Sequence, residues 1–279
     1  MKLKAIFTTK MLLLIFIVNL YAYEAVEKEE RTFKLTSGGS VEITGDEGII
    51  KVTSWDRDEV YVKIVKRAQA PTKKEAERLL QEIEVQIEHD DDQLIIRELK
   101  ISENNTITLF DLFDPDLWTG HGRRDSRVDF ELQIPSEIKL RLENDEGDIA
   151  ITDINGELDV ILDEGDLTLE NCNLGMTNID IDEGDIKGYQ LTCINDRVSI
   201  YTDEGEIWLE KCELEKFRLD CDEGDIILKE FVSKSLEIKT DEGDVEAEIM
   251  SGQPTVVEMY ANNCSVCLVA KPKVDQLEE

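Results

Sequence analysis

Six times in the second half of the chain the same acidic turn returns: Asp145-Glu146-Gly147-Asp148, Asp163-Glu164-Gly165-Asp166, Asp182-Glu183-Gly184-Asp185, Asp203-Glu204-Gly205-Glu206, Asp222-Glu223-Gly224-Asp225 and Asp241-Glu242-Gly243-Asp244. Successive turns stand 18, 19, 21, 19 and 19 residues apart. That period is too short for repeats built of helical pairs and suits one coil of a β-solenoid.

Aligning the turns exposes columns. Three residues before each leading Asp stand Leu142, Val160, Ile179, Ile200, Leu219 and Ile238, and four residues after it stand Ile149, Leu167, Ile186, Ile207, Ile226 and Val245. Both columns are wholly aliphatic, so in a strand-turn-strand coil they point inward and stack about 4.8 Å apart into continuous ladders. A further inward column mixes Asn144, Thr202 and Thr240 with Leu162, Ile181 and Cys221. Glycine at the third turn position suits a tight turn that needs positive φ, and Asp at the first can bond the turn's own amides. Neither argument accounts for the repeated Glu, or for the acid after the Gly. The last coil departs from the pattern: Asn262-Asn263-Cys264-Ser265-Val266 replaces the acidic turn and Pro272 closes the strand, as in a capping repeat.

Upstream, residues 31–66 alternate polar and apolar positions around Asp46-Glu47-Gly48, an outlying copy of the turn, which predicts two or three strands. Thr72 and Glu75 form a capping box ahead of Ala76, Leu79, Leu80 and Ile83 at helical spacing, so one amphipathic helix is expected over 72–84. Val85, Ile87, Leu94 and Ile96, split by Asp90-Asp91-Asp92, predict a hairpin. Residues 99–127 read as a long loop. Its Phe110, Phe113 and Trp118 are candidates for partner binding or for plugging an open end of the solenoid.

The N-terminus reads as a secretory signal over 1–22, with Lys2, Lys4 and Lys10 before the apolar run 11–20; an uncleaved anchor is the alternative. Ten apolar residues are too few to span a bilayer, and no later run is long enough, so the mature chain is expected to have no transmembrane span. The predicted organisation is a leader (1–22), a β-rich segment with one helix and a long loop (23–127), and solenoid repeats with a capping coil (128–279). With 41% apolar residues the chain can fold, but a formal charge of −33 repels nucleic acid and favours cations and basic partners.

Taken together, the Gly-centred opening coil, Ser54-Trp55-Asp56-Arg57-Asp58-Glu59-Val60, the helix at Thr72, the run Val128 to Pro135 and the Gly-Asp-Ile/Leu/Val coils resemble the bacterial putative adhesin family. The likeness covers nearly all of the mature chain. It implies an all-β fold, a single-stranded, parallel and right-handed β-helix, and it brings no catalytic residues. Some relatives are linked with envelope stress responses. The uniformly acidic turn is where this sequence departs from the family pattern.

If the coils stack, the leading aspartates form one file and the other acids form neighbouring files, with like charges repelling by roughly 0.9 kcal/mol per pair at about 4.8 Å even in water. A solvated edge with diffuse counterions is one reading. Ca²⁺ held by Asp145, Glu146, Asp148, Asp163, Glu164, Asp166, Asp182, Glu183, Asp185, Asp203, Glu204, Glu206, Asp222, Glu223, Asp225, Asp241, Glu242 and Asp244 is the other, although the turn matches no standard calcium loop. No cofactor is otherwise required.

Cys172 and Cys212 share one repeat position and Cys193 lies near it, displaced by two inserted residues; these and the Cys264/Cys267 pair are disulfide candidates, with a buried column of free thiols as the alternative. His89 and His121 stand beside no evident nucleophile, so the expectation is an exported, non-enzymatic envelope scaffold, in the periplasm, on the cell surface or secreted. Its partner would be an envelope or surface protein or glycan. The alternatives are an envelope-stress sensing protein and a Ca²⁺-assisted polysaccharide lyase or hydrolase.

Overall fold

The computed structural model describes residues 23–99, 125–251, 256–261 and 266–272. The leader, Phe110, Phe113, Trp118, His121 and Cys264 lie outside the described residues.

The chain begins with β1 (Tyr23–Lys34), β2 (Ser40–Thr44), β3 (Ile50–Trp55) and β4 (Glu59–Ala70). Helix α1 (Lys73–Glu82) follows, capped at Thr72, whose hydroxyl accepts from the Glu75 N–H at 3.3 Å. The predicted hairpin is β5 (Glu84–His89) with β6 (Gln93–Leu99), antiparallel. Then β7 (Asp125–Pro135) leads into coils of two strands, joined by an acidic turn in all but the last. These are β8 (Glu137–Glu146) with β9 (Ile149–Thr152), β10 (Asn155–Glu164) with β11 (Leu167–Glu170), and β12 (Asn173–Glu183) with β13 (Ile186–Tyr189). After them come β14 (Thr192–Glu204) with β15 (Ile207–Glu210), β16 (Glu213–Glu223) with β17 (Ile226–Phe231), β18 (Ser235–Glu242) with β19 (Val245–Ser251), and β20 (Val256–Ala261) with β21 (Val266–Pro272).

The fold is a parallel β-solenoid flattened into two sheets. The second strand of each coil lies in an eleven-stranded sheet ordered β1-β4-β7-β3-β9-β11-β13-β15-β17-β19-β21. The first strand of each coil lies in a ten-stranded sheet ordered β20-β18-β16-β14-β12-β10-β8-β2-β6-β5. Within each, every strand from β8 onward pairs in parallel with its counterpart one coil away. The aliphatic columns align as read: Leu142, Val160, Ile179, Ile200, Leu219 and Ile238 are partners in register, as are Ile149, Leu167, Ile186, Ile207, Ile226 and Val245. All are buried between the sheets in one continuous core, each worth roughly 1.5–3 kcal/mol of burial.

The outlying turn is the first rung of this stack. Strands β2 and β3 come from the N-terminal segment, yet β2 pairs with β8 and β3 with β9, and Ile43 and Ile50 extend the columns beyond Leu142 and Ile149. The N-terminal segment therefore shares the solenoid core. Past β3 the first sheet continues with β7, parallel to β3, and then with β4 and β1, each antiparallel to the strand before it, with α1 packed on β1 and β4.

The 21-residue spacing is absorbed by a bulge. In β14 the register slips between Cys193 and Arg197 against Leu214 and Lys216, so the two extra residues follow Cys193 and do not precede it. Leu191, not Cys193, occupies the column of Cys172 and Cys212. A second corner recurs without any residue signature: Asp153, Asn171, Gln190, Lys211 and Glu230 all take positive φ, between 47° and 61°, where each short strand passes to the next coil.

Candidate functional site

The acidic turns form a file along one edge, and their backbone is paired from rung to rung. The Gly N–H donates to the Glu carbonyl of the next coil, as from Gly147 to Glu164 (2.8 Å), Gly165 to Glu183 (2.9 Å) and Gly184 to Glu204 (2.9 Å). The residue after the turn donates to the fourth turn carbonyl of the next coil, as from Ile149 to Asp166 (2.9 Å). That pattern leaves the N–H of the fourth residue without a carbonyl, and the preceding coil's fourth side chain takes it. Asp148 Oδ1 accepts from Asp166 N (3.1 Å), Asp166 from Asp185 N (3.0 Å), Asp185 from Glu206 N (3.0 Å) and Asp225 from Asp244 N (2.9 Å). At the first rung, Asp129 of β7 accepts from Ile49 N at 3.3 Å. In these four turns the acid after the glycine is thus a structural acceptor, a role invisible in one coil because its partner lies a full repeat away. Asp185→Ala should cost about 0.5–1.5 kcal/mol by removing the acceptor of the Glu206 N–H, whereas Asp185→Asn, which keeps the acceptor, should cost much less. Urea denaturation of the two variants checks this, and equal losses would argue against the capping role.

The mixed inward column has the same logic. Asn144 Nδ2 donates to the carbonyls of Glu146 (2.9 Å), Gly48 (3.1 Å) and Gly147 (3.2 Å), binding the first two rungs together. Thr202 and Thr240 donate to Glu204 and Glu242 carbonyls (3.4 and 3.1 Å). Polar residues here serve turn carbonyls; at the other coils Leu162, Ile181 and Cys221 fill the space.

The first two acids of the turns are open to solvent to differing degrees. Asp163, Glu164, Asp182, Glu183, Asp203, Glu204, Asp222 and Glu223 are all exposed. Asp145 and Asp241 are half-buried, while Glu146 and Glu242 are exposed. At the first rungs a cleft of about 540 Å³ is lined by Glu47, Gly48, Ile49, Asp125, Arg127, Glu146, Gly147 and Asp148. There burial, followed by the charges of Glu146, Asp125 and Asp46, holds the Glu47 carboxyl above its ordinary range. Asp180 is raised by burial and then by Asp182, Asp203 and Asp159. A carboxyl raised in the folded state stabilises the fold most when protonated, and that contribution is lost as pH climbs through its folded pKa. Melting temperature should therefore rise as pH falls from neutral toward 5, and Glu47→Gln should raise it at pH 7 while flattening that dependence. A lower melting temperature for Glu47→Gln would contradict the repulsion. Among the described residues, no group of three or more His, Cys, Asp and Glu converges as a set of metal ligands.

Cys172, Cys193 and Cys212, read as disulfide candidates, are free, buried thiols, as is Cys221. Leu191 separates Cys172 from Cys212 in their column, which puts them two coils or about 9–10 Å apart, beyond disulfide reach. The Cys172 thiol meets the Glu170 carbonyl at 3.3 Å and that of Cys212 meets Glu210 at 3.4 Å. Burial pushes the Cys172, Cys212 and Cys221 thiols up to about 11 and raises Cys193. At pH 7 only about one in 10⁴ of such thiols is ionised. Peptides bearing these residues should resist alkylation in native protein and react on unfolding, as read by mass spectrometry. Rapid native labelling would overturn their inert role. For Cys267, only its place in β21 is described.

Two features escaped the sequence reading. Trp208 and Tyr189 lie on the outer face of the first sheet, with Lys229 Nζ 3.9 Å from the Trp208 ring centre and Lys211 Nζ 4.9 Å from that of Tyr189. They occupy the alternate positions between inward columns, so the period-2 pattern that found the core also marked them. His89 bonds the Lys34 carbonyl at 2.7 Å through Nε2 and packs on Phe33, away from the acidic edge.

The profile of the family described as Toastrack DUF4097 matches residues 21–255. A putative adhesin from Bacteroides fragilis is similar at 10% identity and TM-score 0.36, over 86% of this chain and 96% of that one. One from Parabacteroides merdae is similar at 11% identity and TM-score 0.35, over 86% and 95%. A putative lipid binding protein from Parabacteroides distasonis is similar at 12% identity and TM-score 0.31, over 86% and 97%. No curated protein matches the chain.

Proposed function

The chain belongs to the Toastrack DUF4097 family, and on that footing we propose that it is an exported, non-enzymatic scaffold of the bacterial envelope whose acidic edge engages a basic or cation-bridged partner in adhesion or assembly. One observation carries this reading. In four turns the fourth-position acid is engaged in the backbone ladder, while the Asp-Glu pairs of the four central turns, from Asp163-Glu164 to Asp222-Glu223, stand exposed in file. Such a row concentrates negative potential along one line and suits a partner with matching positive charge. The leader over 1–22 and a docking role for Phe110, Phe113 and Trp118 belong to the same proposal.

Raised thiol pKa values and the engagement of His89 by a backbone carbonyl support a non-enzymatic reading, since neither group is poised as a nucleophile or base.

The test is binding of labelled protein to isolated cell envelopes, with and without Glu164→Gln, Glu183→Gln and Glu204→Gln combined. The triple variant should bind at least about tenfold more weakly while melting at the same or a higher temperature. Undiminished binding would remove the acidic edge from the function. Ca²⁺ and Mg²⁺ at matched ionic strength should raise the melting temperature by similar, small amounts through screening. A large rise with Ca²⁺ alone would make the edge a set of specific calcium sites.

A further inference from the structure

The first sheet ends in β1, a twelve-residue strand that pairs with β4 on one side and, among the described residues, with no strand on the other. A free edge of this length is a template for another strand, and proteins commonly guard it with charge. Strand β1 carries such charges: Glu24, Glu27, Lys28, Glu29, Glu30, Arg31 and Lys34. Their order does more than repel. Turned end for end about Glu29, the strand meets its own complement. Glu24 falls opposite Lys34, Glu27 opposite Arg31 and Lys28 opposite Glu30, with Val26 opposite Thr32 and Ala25 opposite Phe33.

Other symmetric registers lack this match. A regular antiparallel ladder alternates hydrogen-bonded and non-bonded pairs, so a two-fold pairing must be centred on a residue and not between two. Centring on Lys28 sets Lys28 against itself and Glu27 against Glu29, while centring on Glu30 sets Glu30 against itself, Lys28 against Thr32 and Glu27 against Phe33. Directly opposed charges stabilise a strand pair when opposite and destabilise it when alike. Only the Glu29 register puts three opposite-charge pairs in each half. Its single like pair, Glu29 with its copy, is tempered because Arg31 already bonds Glu29 on its own strand. Glu24 and Glu27 lie 3.7 and 3.8 Å from Arg67 and Lys66 of β4, so the incoming cations would join an existing network.

We infer that a second copy of this chain docks on β1, antiparallel and two-fold about Glu29, joining the two eleven-stranded sheets into one. The same charges exclude strands of other sequence or register, so the edge is selective for itself.

The experiment is light scattering of the purified protein across concentration and salt, with charge-swap variants. The wild type should show a dimer mass that gives way to monomer as salt rises. Lys28→Glu and Glu30→Lys should each weaken the dimer at least about tenfold, and the double swap, which restores opposite charges across the two-fold, should recover it. On mild oxidation, Glu29→Cys should form a cross-linked dimer absent from the parent, whereas Val26→Cys, six residues from its copy in this register, should not. A monomer at every concentration, a double swap no better than the singles, or equal cross-linking of both cysteine variants would overturn the inference.

Discussion

Gly184→Ala is expected to destabilise the solenoid by roughly 3 kcal/mol or more, by adding the strain of a non-glycine residue at positive φ to an overpacked contact. Gly184 has φ of +151°, and a Cβ there would sit 1.9 Å from the Gly165 carbonyl oxygen. The same approach recurs up the stack, with Gly205 over Gly184 at 2.0 Å and Gly224 over Gly205 at 2.0 Å. A rung cannot retreat from this contact without lengthening the bond from the Gly N–H to the next coil. Gly38 separates the two causes, since its φ is +85° but a Cβ would meet nothing within 4 Å. Gly38→Ala should therefore cost only about 1 kcal/mol. Urea denaturation of both variants is the measurement. Equal losses would mean that turn conformation alone, and not the stacking of glycine on glycine, fixes the residue.

Phe231→Ala should cost about 3–5 kcal/mol, the usual range for emptying a buried aromatic site. Phe231 is fully buried in the first sheet and meets Phe217 of the second with ring centres 5.3 Å apart and planes at 46°. The pair bridges the core where other coils place smaller groups: Cys172 and Cys212 in the column of Phe231, Thr177 and Val198 in that of Phe217. In a solenoid each coil is held mainly by its neighbours, so the loss should concentrate in β18 to β21 before the N-terminal coils open. Hydrogen exchange would then rise C-terminal to residue 231 while β2, β3, β8 and β9 stay protected. Uniform loss of protection would mean that the stack opens as one unit.

Much of this architecture could be read along the chain, because its signals are local. Alternation at period 2 located the inward columns, the Gly in each turn marked a conformation other residues avoid, and Thr72 with Glu75 announced α1. Roles that depend on a neighbour one coil away were hidden. The backbone donor that the fourth acid serves in four of the turns lies in the adjacent coil, about nineteen residues along the chain. The column of Cys193 was hidden as well, because a spacing of 21 shows that residues are added, not where the bulge takes them up. The corner at Asp153, Asn171, Gln190, Lys211 and Glu230 left no trace, since its recurrence lies in φ and the side chains differ.

By itself the sequence determined that the chain stacks as coils, which positions face the core and where each coil turns, because strand alternation and glycine's freedom act within a few residues. Only the tertiary structure decided that β2 and β3, about 100 residues before their partners, supply the first coil, that the fourth acid of four turns serves the backbone, and that β1 is left as the outer edge. Those outcomes depend on which strands come to lie side by side. That choice is made by the shared burial of columns and the pairing of rungs across the whole core, which no stretch of chain carries alone.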